Sequence, residues 1–269
     1  MTKQSNFREL HEAEGCFLLP NPWDVGTARM LASLGFSALA TTSAGMAFSL
    51  GLREGQASRD QVLAHCADIV SATALPVSAD LEHGFGHSPE SAAETIVVAS
   101  ATGLAGGSLE DHTGDPANPI YEFEHAVERI AAAAEARESL PKDFVLTARC
   151  ENFLWGRSDL DDTIRRLQAF EAAGADVLYA PGLRDLATIG EVCAAVNKPL
   201  NVVMGMPGAV FSVAELAQVG VKRISVGSAL ARLAYGAFVN AARDMQANGR
   251  FDFADTAMGF AELEGLLPD

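Results

Sequence analysis

The chain has 269 residues, 49% of them hydrophobic, and a formal charge of −16 from 35 acidic and 19 basic side chains. That length fits one large domain, since α/β barrels of about 250 residues fold as single units. So acidic a balance argues against nucleic acid as a partner, because phosphate binding needs a basic footprint.

The opening segment, MTKQSNFRELHEAEG, lacks the apolar core of a signal peptide. No uninterrupted apolar run reaches the length of a membrane helix, so no membrane association is expected. Cys16, Cys66, Cys150 and Cys193 lie far apart with no CxxC pair. They read as reduced, mostly buried thiols of a cytoplasmic protein.

Short apolar runs then recur along the chain. They are CFLL (16–19), SALAT (37–41), LPVSA (75–79), GGSL (106–109), FVLTA (144–148), DVLYA (176–180), PLNVV (199–203) and RISV (223–226). Stretches with apolar residues at helical spacing separate them, such as Ile164, Leu167 and Phe170 on one face of DDTIRRLQAFEAAGA. Helix starts are marked by Ser58 with Gln61 and by Ser212 with Glu215, two capping boxes. Ser88 before Pro89 fits an N-cap followed by proline at the first helical position. Eight strands alternating with helices imply a parallel sheet, and in one chain of this length a closed (β/α)8 barrel of the TIM type. Residues 1–269 form a single domain on this reading, with 250–269 as a helical extension.

Barrels of this kind carry their active sites at the C-terminal ends of the strands. Thr42-Ser43-Ala44-Gly45 follows the second run, with Glu54 farther along the same loop. Asp80, Glu82 and His83 follow the third, Glu110-Asp111-His112 the fourth, and Arg149 and Glu151 the fifth. Asn201 sits on the seventh run, and Gly227-Ser228 opens the helix after the eighth.

Asp and Glu in such places also serve as helix caps, but four carboxylates converging on one mouth repel one another unless a cation neutralises them. Oxygen ligands suit a hard metal such as Mg²⁺. Arg149 offers a fixed fork for a carboxylate or phosphate. A metal facing an arginine across a small pocket points to a small polyanionic substrate, for example a 2-oxo acid. His83 and His112 either line the pocket or face water. Cys150, next to Arg149 on a strand, points the opposite way and reads as core. Trp23 and Trp155 read as packing residues.

PNPWDVGTARMLASLGFSALATTSAG, PVSADLEHGFG, SLEDH and LTARCENF resemble the isocitrate lyase and phosphoenolpyruvate mutase superfamily over about residues 15 to 245. The family stretch D-x-D-x-G-[YF]-G is matched with Glu82 in place of its second Asp. The resemblance implies that Asp80 holds Mg²⁺, with Glu82, Glu110 and Glu54 around it, partly through water. It also implies that Arg149 binds the substrate's carboxylate or phosphonate group, and that Thr42, Ser43 and Ala44 grip the other carboxylate. The resemblance stops at the lid: EDHTGDPANPIYEFEHA has neither the lyase cysteine nor the lysines, and only Asn118 compares with the mutase lid. This sets the chain apart from isocitrate lyase itself and from a true phosphonomutase.

The resulting expectation is a Mg²⁺-dependent lyase that cleaves a C–C bond of a small 2-oxo or 2-hydroxy carboxylate through an enolate. Arg149, Glu110 and His112 are its catalytic candidates, and Thr42, Ser43, Ala44, Arg149 and Asn201 its substrate contacts. P–C bond phosphonomutase or hydrolase chemistry is the alternative, as is a barrel that binds a 2-oxo acid without turning it over.

The tail carries Phe251, Phe253, Met258, Phe260, Leu263, Leu266 and Leu267, so it needs either its own barrel or another subunit to cover it. Members of the superfamily exchange a C-terminal helix between subunits. The resemblance therefore implies a homo-oligomer, dimer or tetramer, with residues from about 250 onward packed on a neighbour.

Overall fold

The structure, a computed structural model, describes residues 2–267. Its eight strands are β1 (Phe17–Leu19), β2 (Leu39–Ala40), β3 (Val77–Asp80), β4 (Gly106–Glu110), β5 (Val145–Arg149), β6 (Val177–Tyr179), β7 (Leu200–Val203) and β8 (Arg223–Ser225). They pair in parallel in the order β1-β8-β7-β6-β5-β4-β3-β2. The ends of that order meet just past β1, where Ala40 N donates to Pro20 O at 3.0 Å, so the sheet curls into a (β/α)8 barrel. Each expected run contains a strand. The second shrinks most, to two residues paired with β3.

Successive strand residues point to opposite faces. Val77 and Ala79, Leu146 and Ala148, and Leu200 and Val202 join the outer core between sheet and helices. That outer layer comprises α2 (Val25–Ser33), α4 (Arg59–Ala72), α5 (Pro89–Ala101), α6 (Phe123–Glu138), α7 (Leu160–Ala172), α8 (Leu186–Ala195) and α9 (Val213–Gln218). α3 (Ser43–Ser49), capped by the Thr42 hydroxyl, is a short helix inside what reads in sequence as a loop. The caps at Ser58, Ser88 and Ser212 form as expected.

The lower end of the lumen is plugged by α1 (Lys3–Glu12). Its Phe7, fully buried, packs with Leu19, Ala38, Ala105, Val145 and Val177 near the starts of the strands. Gly106 makes room for it, since a Cβ there would lie 2.6 Å from Val145 O and 3.0 Å from Phe7 Cε1.

The C-terminal part departs from the barrel. Helix α10 (Ala229–Asn248) buries only Ala231 and exposes Leu233 and Phe238 at about 70%. Beyond it the extension is a 3₁₀ turn at Asp252–Asp255 and the six-residue α11 (Phe260–Gly265), without a buried residue. The tail therefore does not pack on its own barrel, and the uncovered apolar surface begins at α10, earlier than residue 250. All four cysteines are free thiols, and Cys150 lies in the outer core. Among the described residues no helix is long and apolar enough to cross a membrane.

Candidate active site

The ladder sets the first geometry. Glu110 pairs in register with Arg149, and Arg149 with Tyr179, so the last residues of β4, β5 and β6 stand side by side. Asp80 ends β3, one strand farther along. Arg149 is the hub. Its Nη1 lies 3.0 Å from Asp80 Oδ1, and its Nη2 3.1 Å from Glu110 Oε2 and 2.8 Å from Glu151 Oε1. Nε also donates to Glu151 Oε1 at 2.8 Å, and the guanidinium sits 5.1 Å above the centre of the Tyr179 ring. One cation thus joins three carboxylates in a largely buried cluster, where charge-assisted bonds are strong.

Asp80 is held from the other side. Its Oδ2 accepts from Ser43 Oγ at 2.8 Å and from Ser43 N at 3.3 Å, and its Oδ1 accepts from Glu82 N at 3.3 Å. Glu82 itself has φ +49°, the left-handed region that a side chain rarely adopts. The bond to Asp80 and a second from Glu110 N to Glu82 O (3.0 Å) hold it there. Such strained positions concentrate at functional sites.

Two adjoining cavities share this cluster as a wall. The outer one, about 580 Å³, is lined by Glu54, Asp80, Glu82, Glu110 and Glu151 together with Arg149, both loop histidines and Trp155. The inner one, about 430 Å³, runs down into the lumen past Thr42, Ser43, Ala44 and Asn201. Every residue expected to act in catalysis, bind substrate or hold the metal lines one of the two. The Thr42 hydroxyl is already engaged as the cap of α3.

The outer cavity carries more negative charge than Arg149 offsets. Burial, then Asp80, Glu110 and Glu54, push the Glu82 carboxyl up to about 8. Partial desolvation and the charges of Asp80 and Glu110 also raise Glu54, which keeps an edge in solvent. Burial opposes ionisation of Glu110, but Arg149 and His112 outweigh it and hold that carboxyl below its ordinary range.

A divalent cation would relieve this excess. Among the described residues no three His, Cys, Asp or Glu side chains form a ready cage, since Arg149 stands between Asp80, Glu110 and Glu151. Mg²⁺ does not need one: it takes one or two carboxylates and keeps several waters. The all-oxygen donor set, with no thiol, suits it.

Several contacts at the site escape sequence reasoning. Glu151 is fixed by its own backbone, whose N–H donates to Asp111 Oδ1 at 2.8 Å, while Asp111 Oδ2 pairs with the buried Arg166 at 3.1 Å. Burial pushes the Asp111 carboxyl up to about 6 even against that arginine. Trp155, expected to pack, stacks on His112 with centroids 3.9 Å apart and also lines the outer cavity. Trp23 does pack, beside Tyr235.

His112 Nδ1 lies 3.5 Å from Glu110 Oε1, and its Nε2 is buried without a hydrogen-bond partner. The lid region is a tight turn bridged by His112 and Ile120. Asn118 does not line either cavity; it bonds back to Asp115 within that turn.

Known proteins share this fold. A crystal structure from Burkholderia cenocepacia J2315, assigned provisionally as a lyase/mutase, superposes with a TM-score of 0.94 at 55% identity, covering 97% of this chain and 94% of that one. The crystal structure of 2,3-dimethylmalate lyase gives a TM-score of 0.86 at 27% identity, over 99% and 94% of the two chains. Oxaloacetate decarboxylase of Ectopseudomonas mendocina is 29% identical over 260 residues, 90% of this chain and 82% of its own. The family model for phosphoenolpyruvate phosphomutase matches residues 7–246. The chain therefore belongs to the phosphoenolpyruvate mutase family, within the isocitrate lyase/phosphoenolpyruvate mutase superfamily.

Proposed function

We propose that the chain is a Mg²⁺-dependent lyase that cleaves a C–C bond of a small 2-oxo or 2-hydroxy carboxylate through an enolate. The observation that carries this reading is the Arg149 hub, with Asp80, Glu110 and Glu151 in contact and Glu82 and Glu54 beside it around one cavity. Asp80 would hold Mg²⁺, with Glu54, Glu82 and Glu110 around it through water. The ion would supply Lewis acidity toward the carbonyl oxygen of the substrate.

The chain's own residues do the rest. Arg149, fixed by Glu151, neutralises charge as it develops on the enolate oxygen when the C–C bond breaks. Ser43, at the start of α3, and Ala44 grip the substrate carboxylate on the inner side. His112 presents a free Nε2 for moving a proton, while its ring is held by Trp155 and Glu110. Leu154 and Trp155, both lining the outer cavity, shield the reacting carbon from water.

The test is turnover of oxaloacetate, 2-methylisocitrate, isocitrate and phosphonopyruvate with Mg²⁺ and with EDTA. Chelator-sensitive release of a 2-oxo acid or glyoxylate supports the reading, and turnover indifferent to EDTA removes the metal from it. Cleavage of phosphonopyruvate alone would establish the second reading, P–C chemistry, which the family model favours and the lysine-free lid opposes. Thermal stabilisation by a 2-oxo acid without product from any substrate would leave a binding protein.

The uncovered α10 and tail support assembly as a homo-oligomer in which the C-terminal segment packs on a neighbouring copy.

A further inference from the structure

The two cavities differ in charge. The outer one is ringed by carboxylates, whereas the inner one has only the shared Asp80 and Glu54 and gains two arginines, the exposed Arg232, which donates to Gly205 O at 3.2 Å, and the buried Arg223. Arg223, on β8, is 4% exposed, and among the described residues no carboxylate pairs with it. Its Nε donates to Asn201 Oδ1 at 2.8 Å and its Nη2 to Thr147 Oγ1 at 3.1 Å; its Nη1 lies 3.2 Å from His11 Nε2. His11 Nδ1 sits 2.8 Å from Phe7 O and so carries the ring proton, leaving Nε2 to accept.

All three partners are neutral, and a guanidinium has five N–H groups to place. A buried cation without an anion is unfavourable, and such charges are ordinarily paired. Burial lowers Arg223 to about 9, which still leaves it charged at neutral pH. Around it the lumen is small and polar, lined by Ser78, Ser108, Ser225 and Asn201 where barrels ordinarily pack branched apolar side chains.

Thr147 lies two residues below Arg149 on β5, so the Arg223 head sits roughly 6–7 Å deeper than the hub. A short diacid of about four to six carbons spans that depth. We propose that the inner chamber is a carboxylate-binding subsite with Arg223 as its cationic floor, and that it selects dicarboxylates over monocarboxylates. The proposal rests on the reading that the outer cavity engages the reacting end of the substrate.

Calorimetry with three probes tests it. Oxalate with Mg²⁺ reports the outer cavity; glutarate and pentanoate, equal in length, report the inner chamber. The wild-type protein should bind glutarate at least about tenfold tighter than pentanoate. Arg223→Gln should bring that ratio to about one while keeping oxalate affinity within about threefold. Thr147→Val, which removes one hydrogen-bond partner of the guanidinium and leaves its charge, should keep the preference.

A wild-type ratio of one overturns the inference, as does an Arg223→Gln protein that loses oxalate and glutarate alike. If Arg223→Gln does not fold, Ser78→Val decides. Added bulk in the chamber should weaken glutarate but not oxalate, and unchanged glutarate affinity overturns the subsite. Failure of oxalate to bind the wild type, beside an Arg223-dependent glutarate preference, would remove the lyase reading and leave the subsite.

Discussion

Glu151 Oε1 stands 2.8 Å from both Nε and Nη2 of Arg149, on the flank of the fork away from Asp80. Being 2% exposed and held by Asp111, Glu151 orients the guanidinium without needing to touch substrate. Glu151→Gln should lower kcat/KM by about 10- to 100-fold, the range for losing a supporting carboxylate, with Mg²⁺ affinity little changed. Arg149→Ala should act more strongly, raising KM and lowering kcat together. It also strands three carboxylates and should lower stability by about 3–5 kcal/mol, partly restored by Mg²⁺. Steady-state kinetics and melting curves with and without the metal check both; wild-type kinetics in either variant would refute the assignment.

Asp80, the proposed metal ligand, also ties two loops together. From sequence, Asp80→Ala promises relief of repulsion with the fold intact. In the structure the carboxylate accepts from Ser43 and Glu82 and pairs with Arg149, so alanine also releases the start of α3. Asp80→Asn keeps an oxygen for Glu82 N and sets its amide against Ser43 Oγ. Both variants should lose Mg²⁺ binding in calorimetry, but alanine should melt lower, by about 1–2 kcal/mol in stability. Equal melting temperatures would show that the hydrogen bonds contribute nothing.

For assembly, the apolar surface to cover runs from Leu233 and Phe238 on α10 to Phe260, 85% exposed, on α11. The full-length protein should scatter light as a dimer or tetramer at micromolar concentration. Phe238→Asp with Phe260→Asp should shift it toward monomer, and truncation after Asn248 should weaken assembly without abolishing it, because α10 remains. A full-length monomer would end the idea.

His11 links stability to acid. Burial, then Arg223, hold its imidazole down at about 3, against 6.5 for a free side chain. The unfolded chain therefore binds the proton first. The stabilisation is complete above about pH 6.5 and is lost as pH falls toward about 3. Between pH 6.5 and 4.5 the group should account for ~2–3 kcal/mol of lost stability. His11→Gln, which cannot titrate, should flatten that part of a denaturant-unfolding profile. An unchanged slope would show that His11 charges freely in the folded state.

The fold was legible because every strand but β1, where Leu18 is exposed, is largely buried on both faces, so apolar runs ended by Gly, Pro or polar residues stood out. Asp80, Glu82, Glu110 and Arg149 were legible because they follow those runs. The Arg149–Glu151 clasp, the Tyr179 platform and the unpaired Arg223 were not. Each depends on which strand lies beside which, and on how far along: Tyr179 meets Arg149 only through the β5–β6 register. The packing partner of Trp155 was not legible either, because its loop folds back over His112, a contact that no local pattern encodes. The path of α10 was hidden as well, since its apolar residues read as an ordinary barrel helix until their exposure was seen.

The Phe7 stopper has a kinetic meaning. With the lumen shut below by α1, the proposed lyase would release both products of its cleavage in single file past the carboxylate ring. The fragment lodged deeper is the last to depart and is the one a new substrate must wait for. Product-inhibition patterns should then be ordered, with the deeper fragment competitive against substrate and the shallower one noncompetitive. Two competitive products would mean a second exit through the floor.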